Sequence, residues 1–323
     1  MRKVVKAGAF LAVLAVMIGL VSAVMKPPAL SRQSWAGYLR EPKGAIDVIF
    51  SGTSHAYSAI NPAIVDKTSG RDIRSYNLSG SGQSMALTYY TLKEAFRTQS
   101  PKIVAVESYR IVGEQRMADN NAMANFHYMP WSWNRFRALT DATNASSREA
   151  IALPIVTYHS RWQELEASDF SILRKGTDSY GNEIWTTKDN TDATLRGYTM
   201  VENTQTAQPL APTVDKIDTA AWNRNYPWLK KIAALCKEHD ARLVLFWTPN
   251  AMEGQTTYID AVRNELSKTY PNITYVDFND LIASGEIKYD EHFADQTHTN
   301  VSGATIVSTR MGEVIGRLIQ DGD

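Results

Sequence analysis

The sequence predicts an α/β fold, a three-layer α/β/α sandwich with a mainly parallel sheet, preceded by one N-terminal transmembrane helix. From residue 45 onward, short apolar runs alternate with longer segments of helical periodicity, which is typical of parallel strands joined by crossover helices. Glycine, serine or acidic residues follow the first three runs directly. Before this region, Arg2, Lys3 and Lys6 precede a continuous apolar run. These observations together indicate an α/β domain attached to a membrane.

Residues 1–25 are predicted to be a membrane anchor or a signal peptide. The apolar run reaches roughly the 20 residues that cross a bilayer, and the positive charges before it favour a cytoplasmic N-terminus. Val21-Ser22-Ala23 is similar to a signal-peptide cleavage site, but the run is longer than a usual signal-peptide core, which favours the anchor. The expected location is the cell membrane, single-pass with an extracytoplasmic domain, or secretion after cleavage. Residues 26–44 are expected to be a linker.

Residues 45–323 are predicted to form the α/β domain. The first strand is the run AIDVIF at 45–50, after which Gly52 and Thr53 lead to Ser54 at a strand-to-helix turn. The later elements follow from the same alternation of signals. Strands are expected at 73–79, 101–106, 242–249 and 272–278, and helices at 83–99, 223–240, 256–270 and 301–320.

The segment at about 110–220 has no clear period of either kind and is predicted to be an irregular insertion or cap. It is rich in aromatic residues, among them Tyr128, Trp131 and Trp133. These side chains could line a sugar-binding groove or pack within the cap. The sequence leaves both alternatives open.

The composition excludes several classes of function. Lys plus Arg and Asp plus Glu number 34 each, so no basic excess supports nucleic-acid binding. Cys236 is the one cysteine and lies in a helical pattern, where a buried position is expected. The Asp and His residues at 290–298 lack the ligand spacing of a zinc enzyme, so no metal and no cofactor is expected.

A serine, a histidine and an aspartate can supply nucleophilic chemistry in this fold. In an open parallel sheet, ligands bind at the carboxyl ends of the strands, where Ser54 is placed. A serine hydroxyl needs an imidazole to accept its proton and a carboxylate to orient that imidazole. His298 and Asp295 meet this need, and the helix that follows directly fixes their geometry. Asp290 and His292 form a rival pair in the same loop.

The glycines of the turn after the second strand, Gly80 and Gly82, allow backbone to face a substrate without a side chain in the way. Peptide N–H groups can stabilise the oxyanion of a tetrahedral intermediate. The positive end of the helix that begins at Ser54 adds to the same effect.

These motifs resemble those of the SGNH hydrolases over nearly the whole chain after residue 45, apart from the insertion. Gly52-Thr53-Ser54-His55 resembles the block with the nucleophilic serine, Asn77 to Gln83 the glycine block, and Asp295-Gln296-Thr297-His298 the terminal D-x-x-H. The resemblance implies a flavodoxin-like sheet and is strongest to the membrane-anchored branch with the D-alanyl-transfer protein of teichoic acid synthesis and the alginate O-acetylation proteins. It implies a cell-surface polysaccharide or teichoic-type polymer as substrate and a membrane-bound O-acyltransferase as partner.

The chain also departs from the SGNH pattern. Glu107 stands where the family has an asparagine block, and an ionised carboxylate cannot donate to an oxyanion. His55 or the Gln83 side chain could replace that donor. Thr53 stands where esterases of the family carry Asp, which favours an O-acyltransferase, with acetyl as the expected group, over a simple esterase. The alternative is a non-catalytic binding or scaffold subunit of a polymer-modification complex.

Overall fold

A computed structural model describes residues 2–27, 30–112, 116–167, 169–170, 195–208, 218–251 and 255–320. In this part of the chain, five strands form one sheet, and every pair of neighbours is parallel. The strands are β1 (Val48–Ser51), β2 (Ser75–Asn77), β3 (Ile103–Glu107), β4 (Arg242–Trp247) and β5 (Thr274–Asp277). The α/β class and the parallel sheet expected from the sequence are confirmed.

The α-helices precede, connect and follow these strands. They are α1 (Arg2–Met25), α2 (Leu30–Tyr38), α3 (Ser54–Ala59), α4 (Pro62–Thr68), α5 (Met85–Ala95), α6 (Asp119–Phe126), α7 (Trp133–Ala142), α8 (Arg148–Ala152), α9 (Pro154–Thr157), α10 (Thr219–Glu238), α11 (Gln255–Ser267), α12 (Asp280–Ala283) and α13 (Val301–Gln320). Short 3-10 helices occur at Tyr109–Val112, Ala145–Ser147 and His159–Gln163.

The order of the strands explains where the site lies. The sheet order is β2-β1-β3-β4-β5, so the connections after β1 and β3 leave towards opposite sides of the sheet. A crevice therefore opens at the carboxyl ends of these two strands, and this is where ligands bind in open α/β sheets. The first residues beyond β1 and β3 are the ones that line it.

Both faces of the sheet are buried. Along β3, Val104 and Val106 join one apolar cluster, whereas Ile103 and Ala105 join the other, because successive side chains of a strand point to opposite faces. The first cluster includes residues of α2, α5, α10 and the insertion. The second includes residues of α3, α4 and α13. The helices of the insertion therefore pack against the face opposite α13. The later part of the insertion reaches α13 itself, since Ala207 joins the second cluster and Leu195 and Tyr198 pack with Ala304.

The segment 26–44, expected to be a linker, is part of the fold. It contains α2, on which Trp35 and Tyr38 are buried in the first cluster. The Tyr38 hydroxyl donates a hydrogen bond of 3.0 Å to the carbonyl of Ala95, and its ring packs edge-on against Tyr76. Spacing of i and i+3 places the two aromatic residues on one side of the helix. In the sequence, two aromatic residues within nine are too few to distinguish a packed helix from a polar linker.

Where it is described, the insertion contains short helices, the longest of which is α7 with 10 residues, and residues 195–208 form turns and irregular chain. Elements this short show no sustained period, which explains the irregular sequence pattern. Tyr128 is buried and donates a 2.6 Å hydrogen bond to the Pro27 carbonyl, so it packs against the chain that follows α1. Trp131 and Trp133 are instead 69% and 70% exposed.

Helix α1 is long and apolar enough to cross a membrane or to be a signal sequence. Most of its length is exposed, but Ser22, Val24 and Met25 at its end are buried. Arg161 donates a 2.8 Å hydrogen bond to the Met25 carbonyl. The end of the helix is thus fastened to the insertion.

Candidate active site

The turn after β1 places Ser54 at the start of α3. Thr53 is the N-cap residue, and its hydroxyl accepts a 3.2 Å hydrogen bond from the His55 N–H. Gly52 precedes it, and a Cβ atom at this position would lie 2.4 Å from the Cβ of Glu107. A glycine is therefore required for this turn to pass so close to β3. As a result, Ser54 lies in the crevice at the carboxyl edge of the sheet.

The side chain of Glu107 stabilises this turn through hydrogen bonds. Its carboxylate accepts hydrogen bonds from the Thr53 N–H at 3.3 Å, the Thr53 hydroxyl at 3.1 Å and the Tyr109 N–H at 2.8 Å. The side chain is buried. Burial raises the pKa of Glu107 to about 7, although the hydrogen bonds from Tyr109 and Thr53 oppose the rise. The structure thus places Glu107 behind the candidate nucleophile, where it holds the turn.

Ser54, His298 and Asp295 are connected by hydrogen bonds. The Ser54 hydroxyl oxygen lies 2.8 Å from Nε2 of His298, and Nδ1 of His298 lies 2.8 Å from Oδ2 of Asp295. An ionised carboxylate only accepts hydrogen bonds, so Nδ1 carries the proton. Nε2 is then the acceptor for the serine hydroxyl. This is the arrangement in which an imidazole can act as a general base on a serine.

Asp295 is oriented by its own loop. Its Oδ1 accepts hydrogen bonds from the N–H groups of Thr297, at 2.8 Å, and His298, at 2.9 Å. Partial burial raises the pKa of Asp295, but these two N–H groups and the charge of His298 together lower it below its ordinary value. The carboxylate is therefore ionised at neutral pH, as its partner imidazole requires.

The rival pair in this loop is not beside Ser54. Nδ1 of His292 accepts a 2.9 Å hydrogen bond from the Lys288 N–H. Asp290 is exposed. The loop is shaped by the isolated bridge between Phe293 and Thr299, which turns His298 towards Ser54. Of the two pairs, the structure brings Asp295 and His298 to the candidate nucleophile.

His55 forms a wall of the site. Its ring packs edge-on against the rings of His298, at a centroid distance of 4.8 Å, and Tyr109, at 4.7 Å. Burial, followed by the charge of His298, lowers the pKa of His55 to about 3. His55 is therefore neutral, and it supports the position of the His298 ring. Its buried Nδ1 has no hydrogen-bond partner among the described residues.

Two of the predicted oxyanion donors are already engaged. The Gly80 N–H donates a 3.0 Å hydrogen bond to the Gly52 carbonyl. The Gln83 amide donates to the Ser51 hydroxyl at 2.9 Å and to the Thr88 hydroxyl at 3.0 Å. These contacts connect the glycine turn to β1, so neither group is available to a substrate in this conformation.

The glycines of this turn allow a close approach of the insertion. A Cβ at Gly80 would lie 1.8 Å from Oδ1 of Asn125, and one at Gly82 would lie 2.3 Å from Nδ2 of Asn121. Gly82 also has φ of +54°, which favours glycine. Helix α6, which carries both asparagines, therefore packs directly on the edge of the site.

Tyr57 is a further site residue that the sequence analysis missed. Burial raises the pKa of its phenol, and hydrogen bonds to Ser81 and Ser54 oppose that rise. A neutral phenol is a hydrogen-bond donor, which makes Tyr57 a candidate for stabilising an oxyanion beside Ser54. Among the backbone hydrogen bonds of the described turns and loops, none is donated by the Ser54 N–H. The spacing of three residues from Ser54 on a helix was the signal that could have identified Tyr57.

The buried carboxyl of Glu107 is expected to make stability depend on pH. A raised pKa means that the folded state binds the proton more tightly than the unfolded state, whose value is near 4.5. The free energy of unfolding should therefore fall by up to roughly 3 kcal/mol between pH 4.5 and pH 7 from this group. The difference in unfolding free energy between the wild type and Glu107→Gln, measured with urea at several pH values, should show this fall. Both proteins share the opposite rise below pH 6.5 that comes from His55, whose pKa is lowered to about 3.

Glu238→Gln is the matched control, because Glu238 is exposed at the end of α10. It should leave the pH dependence of the wild type unchanged. An unfolding free energy of the wild type that rises from pH 5 to pH 7, with Glu107→Gln following the same curve, would contradict the raised pKa.

The described residues contain no group of three or more His, Cys, Asp and Glu side chains arranged to hold a metal ion. Comparison with protein-family models and with curated protein sequences finds no match for this chain.

Proposed function

We propose that the chain is a serine-dependent O-acyltransferase or esterase that acts outside the cell membrane through an acyl-serine intermediate. The observation that carries the proposal is the hydrogen-bonded series from Ser54 through Nε2 and Nδ1 of His298 to Asp295. The fold proposed to hold it is a three-layer α/β/α sandwich of the SGNH kind. The β2-β1-β3-β4-β5 strand order, which is that of flavodoxin-like sheets, supports this assignment.

The proposed reaction has two steps. The Ser54 hydroxyl oxygen attacks the carbonyl carbon of an acyl ester while Nε2 of His298 takes the hydroxyl proton. The imidazolium returns this proton to the leaving alcohol, which leaves an acyl-serine. His298 then takes a proton from an acceptor hydroxyl, the acceptor oxygen attacks the acyl carbon, and the serine oxygen leaves with the proton. A glycan hydroxyl as acceptor gives acyl transfer, and water gives ester hydrolysis.

The proposed substrate is a cell-surface polysaccharide or teichoic-type polymer, with acetyl as the acyl group and a membrane-bound O-acyltransferase as its source. This part of the proposal depends on the resemblance of the Ser54, Gly80 and Asp295 motifs to the membrane-anchored SGNH branch. Retention of α1 as an anchor is supported by the burial of Ser22 and Met25, since the cleavage-like residues lie in a packed helix. An exported protein held at the membrane could reach such a polymer.

A fluorophosphonate probe, which reacts with activated serines, tests the catalytic proposal. We expect the full-length protein to gain one probe adduct, which peptide mass spectrometry would locate at Ser54. Ser54→Ala should abolish labelling. Ser267→Ala, which changes an exposed serine at the end of α11, should label like the wild type. Labelling that persists in Ser54→Ala, or a wild type that resists the probe, would contradict the proposal.

A specific observation favours a second candidate, a non-catalytic binding or scaffold subunit. The Gly80 N–H and the Gln83 amide are already engaged, so two of the donors expected for an oxyanion are not available in this conformation. A wild type that resists the probe, yet binds the polymer, would support this candidate. Stoichiometric labelling of Ser54 would exclude it.

A further inference from the structure

An apolar surface of the insertion lies beside the end of α1. Leu153, Val156 and Trp162 are 41%, 50% and 66% exposed, although all three are large apolar side chains. They belong to the start of α9, to α9 itself and to the 3-10 helix His159–Gln163, and both helices contact α1. We call these three residues the membrane-proximal surface.

The contact between α1 and the insertion is specific. Besides the hydrogen bond from Arg161 to the Met25 carbonyl, the Lys26 ammonium donates a 2.7 Å hydrogen bond to the His127 carbonyl. Arg161 is itself held by an ion pair with Asp169 at 2.9 Å. The helix end therefore has a defined position on the insertion, so the depth of α1 in a bilayer also sets the depth of the insertion.

The length of α1 determines how deep its C-terminal end lies in a bilayer. Lys6 is the last charge before the apolar run, and roughly 20 helical residues span the hydrocarbon core of a bilayer, so a span from Ala7 ends near Lys26. Val21 is the last large apolar residue of α1 that is exposed, at 43%. About 6 Å of helix separates it from Met25. Groups packed against Met25 consequently lie at the depth of the lipid headgroups.

We propose that Leu153, Val156 and Trp162 insert into the headgroup region of the outer leaflet, so that the domain rests on the phospholipid bilayer. Tryptophan and aliphatic side chains are favoured at this boundary, since one part of the side chain meets hydrocarbon and the other meets water. The surface lies on two helices that contact α1, whose own apolar side chains are exposed along most of its length, and this argues for lipid as its occupant. This inference depends on the proposal that α1 remains as an anchor, and it does not depend on catalysis.

The proposed contact would also orient the candidate active site. Within the insertion, α9 packs on α8 and α8 packs on α6. Helix α6 in turn places Asn121 and Asn125 against the glycine turn beside Ser54. The insertion therefore forms a continuous set of helices from the bilayer to the edge of the site. An acyl donor presented at the membrane surface would be close to that edge.

Lipid-dependent quenching of single labels tests this inference. Cysteines are introduced one at a time in the full chain by Leu153→Cys, Val156→Cys and Trp162→Cys, and each variant is labelled with a thiol-reactive fluorophore and reconstituted into phosphatidylcholine nanodiscs. The native Cys236 is buried, and burial raises its pKa to about 12, so it should not take up the label. Lipids that carry a nitroxide near the headgroup should quench all three labels.

Two control positions make the result decisive. Leu14→Cys in the middle of α1 should be quenched by lipids that carry the nitroxide deep in the acyl chain. Thr305→Cys should not be quenched, because Thr305 is exposed on α13, across the sheet from the helices of the insertion. Quenching at Leu14→Cys with none at Leu153, Val156 and Trp162 would contradict the membrane contact of these three residues but support α1 as an anchor. Absence of quenching at Leu14→Cys as well would overturn both.

Discussion

Ser54→Ala is expected to lower the rate of acetyl release from p-nitrophenyl acetate by about 10⁴-fold or more. The substitution removes the oxygen that lies 2.8 Å from Nε2 of His298, and the described site offers no other hydroxyl at that nitrogen. The measurement is the rate of p-nitrophenol release by the full-length protein, with and without an added glycan as acceptor. An acetylated glycan serves as a second donor.

Ser267→Ala provides the control for this experiment, and its rate should equal that of the wild type. Circular dichroism should show the same fold for all three proteins, because replacing the Ser54 hydroxyl leaves the Thr53 cap of α3 in place. Equal rates for Ser54→Ala and the wild type would remove Ser54 as the nucleophile. They would also favour the second candidate function, a non-catalytic binding or scaffold subunit.

His298→Ala should have an effect of the same order, a loss of about 10⁴-fold, whereas His292→Ala should remain close to the wild type. Removal of His298 deprives Ser54 of its base and Asp295 of its partner at once. His292 instead accepts a hydrogen bond from the Lys288 N–H and lies outside this series. The measurement is again p-nitrophenol release, supported by fluorophosphonate labelling of Ser54.

The two histidine variants serve as controls for each other, since both alter the loop between β5 and α13. Their melting temperatures show whether that loop still folds. A folded His292→Ala protein without activity, beside an active His298→Ala protein, would assign the base to His292. That result would require a loop conformation in which His292, and not His298, contacts Ser54.

Short-range patterns in the sequence were sufficient for the main features of the fold. The apolar run before Gly52 and the run before Glu107 predict β1 and β3, because a buried parallel strand is apolar on both faces. The turn residues between β1 and α3 then predict the place of Ser54 at the carboxyl edge. Asp295 and His298 could be predicted as partners because a spacing of three residues allows the contact within one loop.

What could not be predicted depends on contacts between distant parts of the chain. The sequence shows that Gly80 can approach another group closely, but only the folded chain shows that its N–H is taken by Gly52 and that Asn125 fills the space beside it. The same holds for Glu107, whose role depends on the two backbone N–H groups and the hydroxyl that face it. Likewise, the partners of α2 are supplied by α5 and β2, which lie later in the sequence.

The distance along the chain between Ser54 and His298, 244 residues, has a consequence for biogenesis. If the domain is exported as proposed, β1 and its serine cross the membrane early, whereas the loop with the histidine follows almost at the end. We expect the half-made polypeptide to remain chemically inert, since an isolated serine hydroxyl is a poor nucleophile. Reactivity would then begin only when α13 has left the translocation machinery and has docked on the sheet.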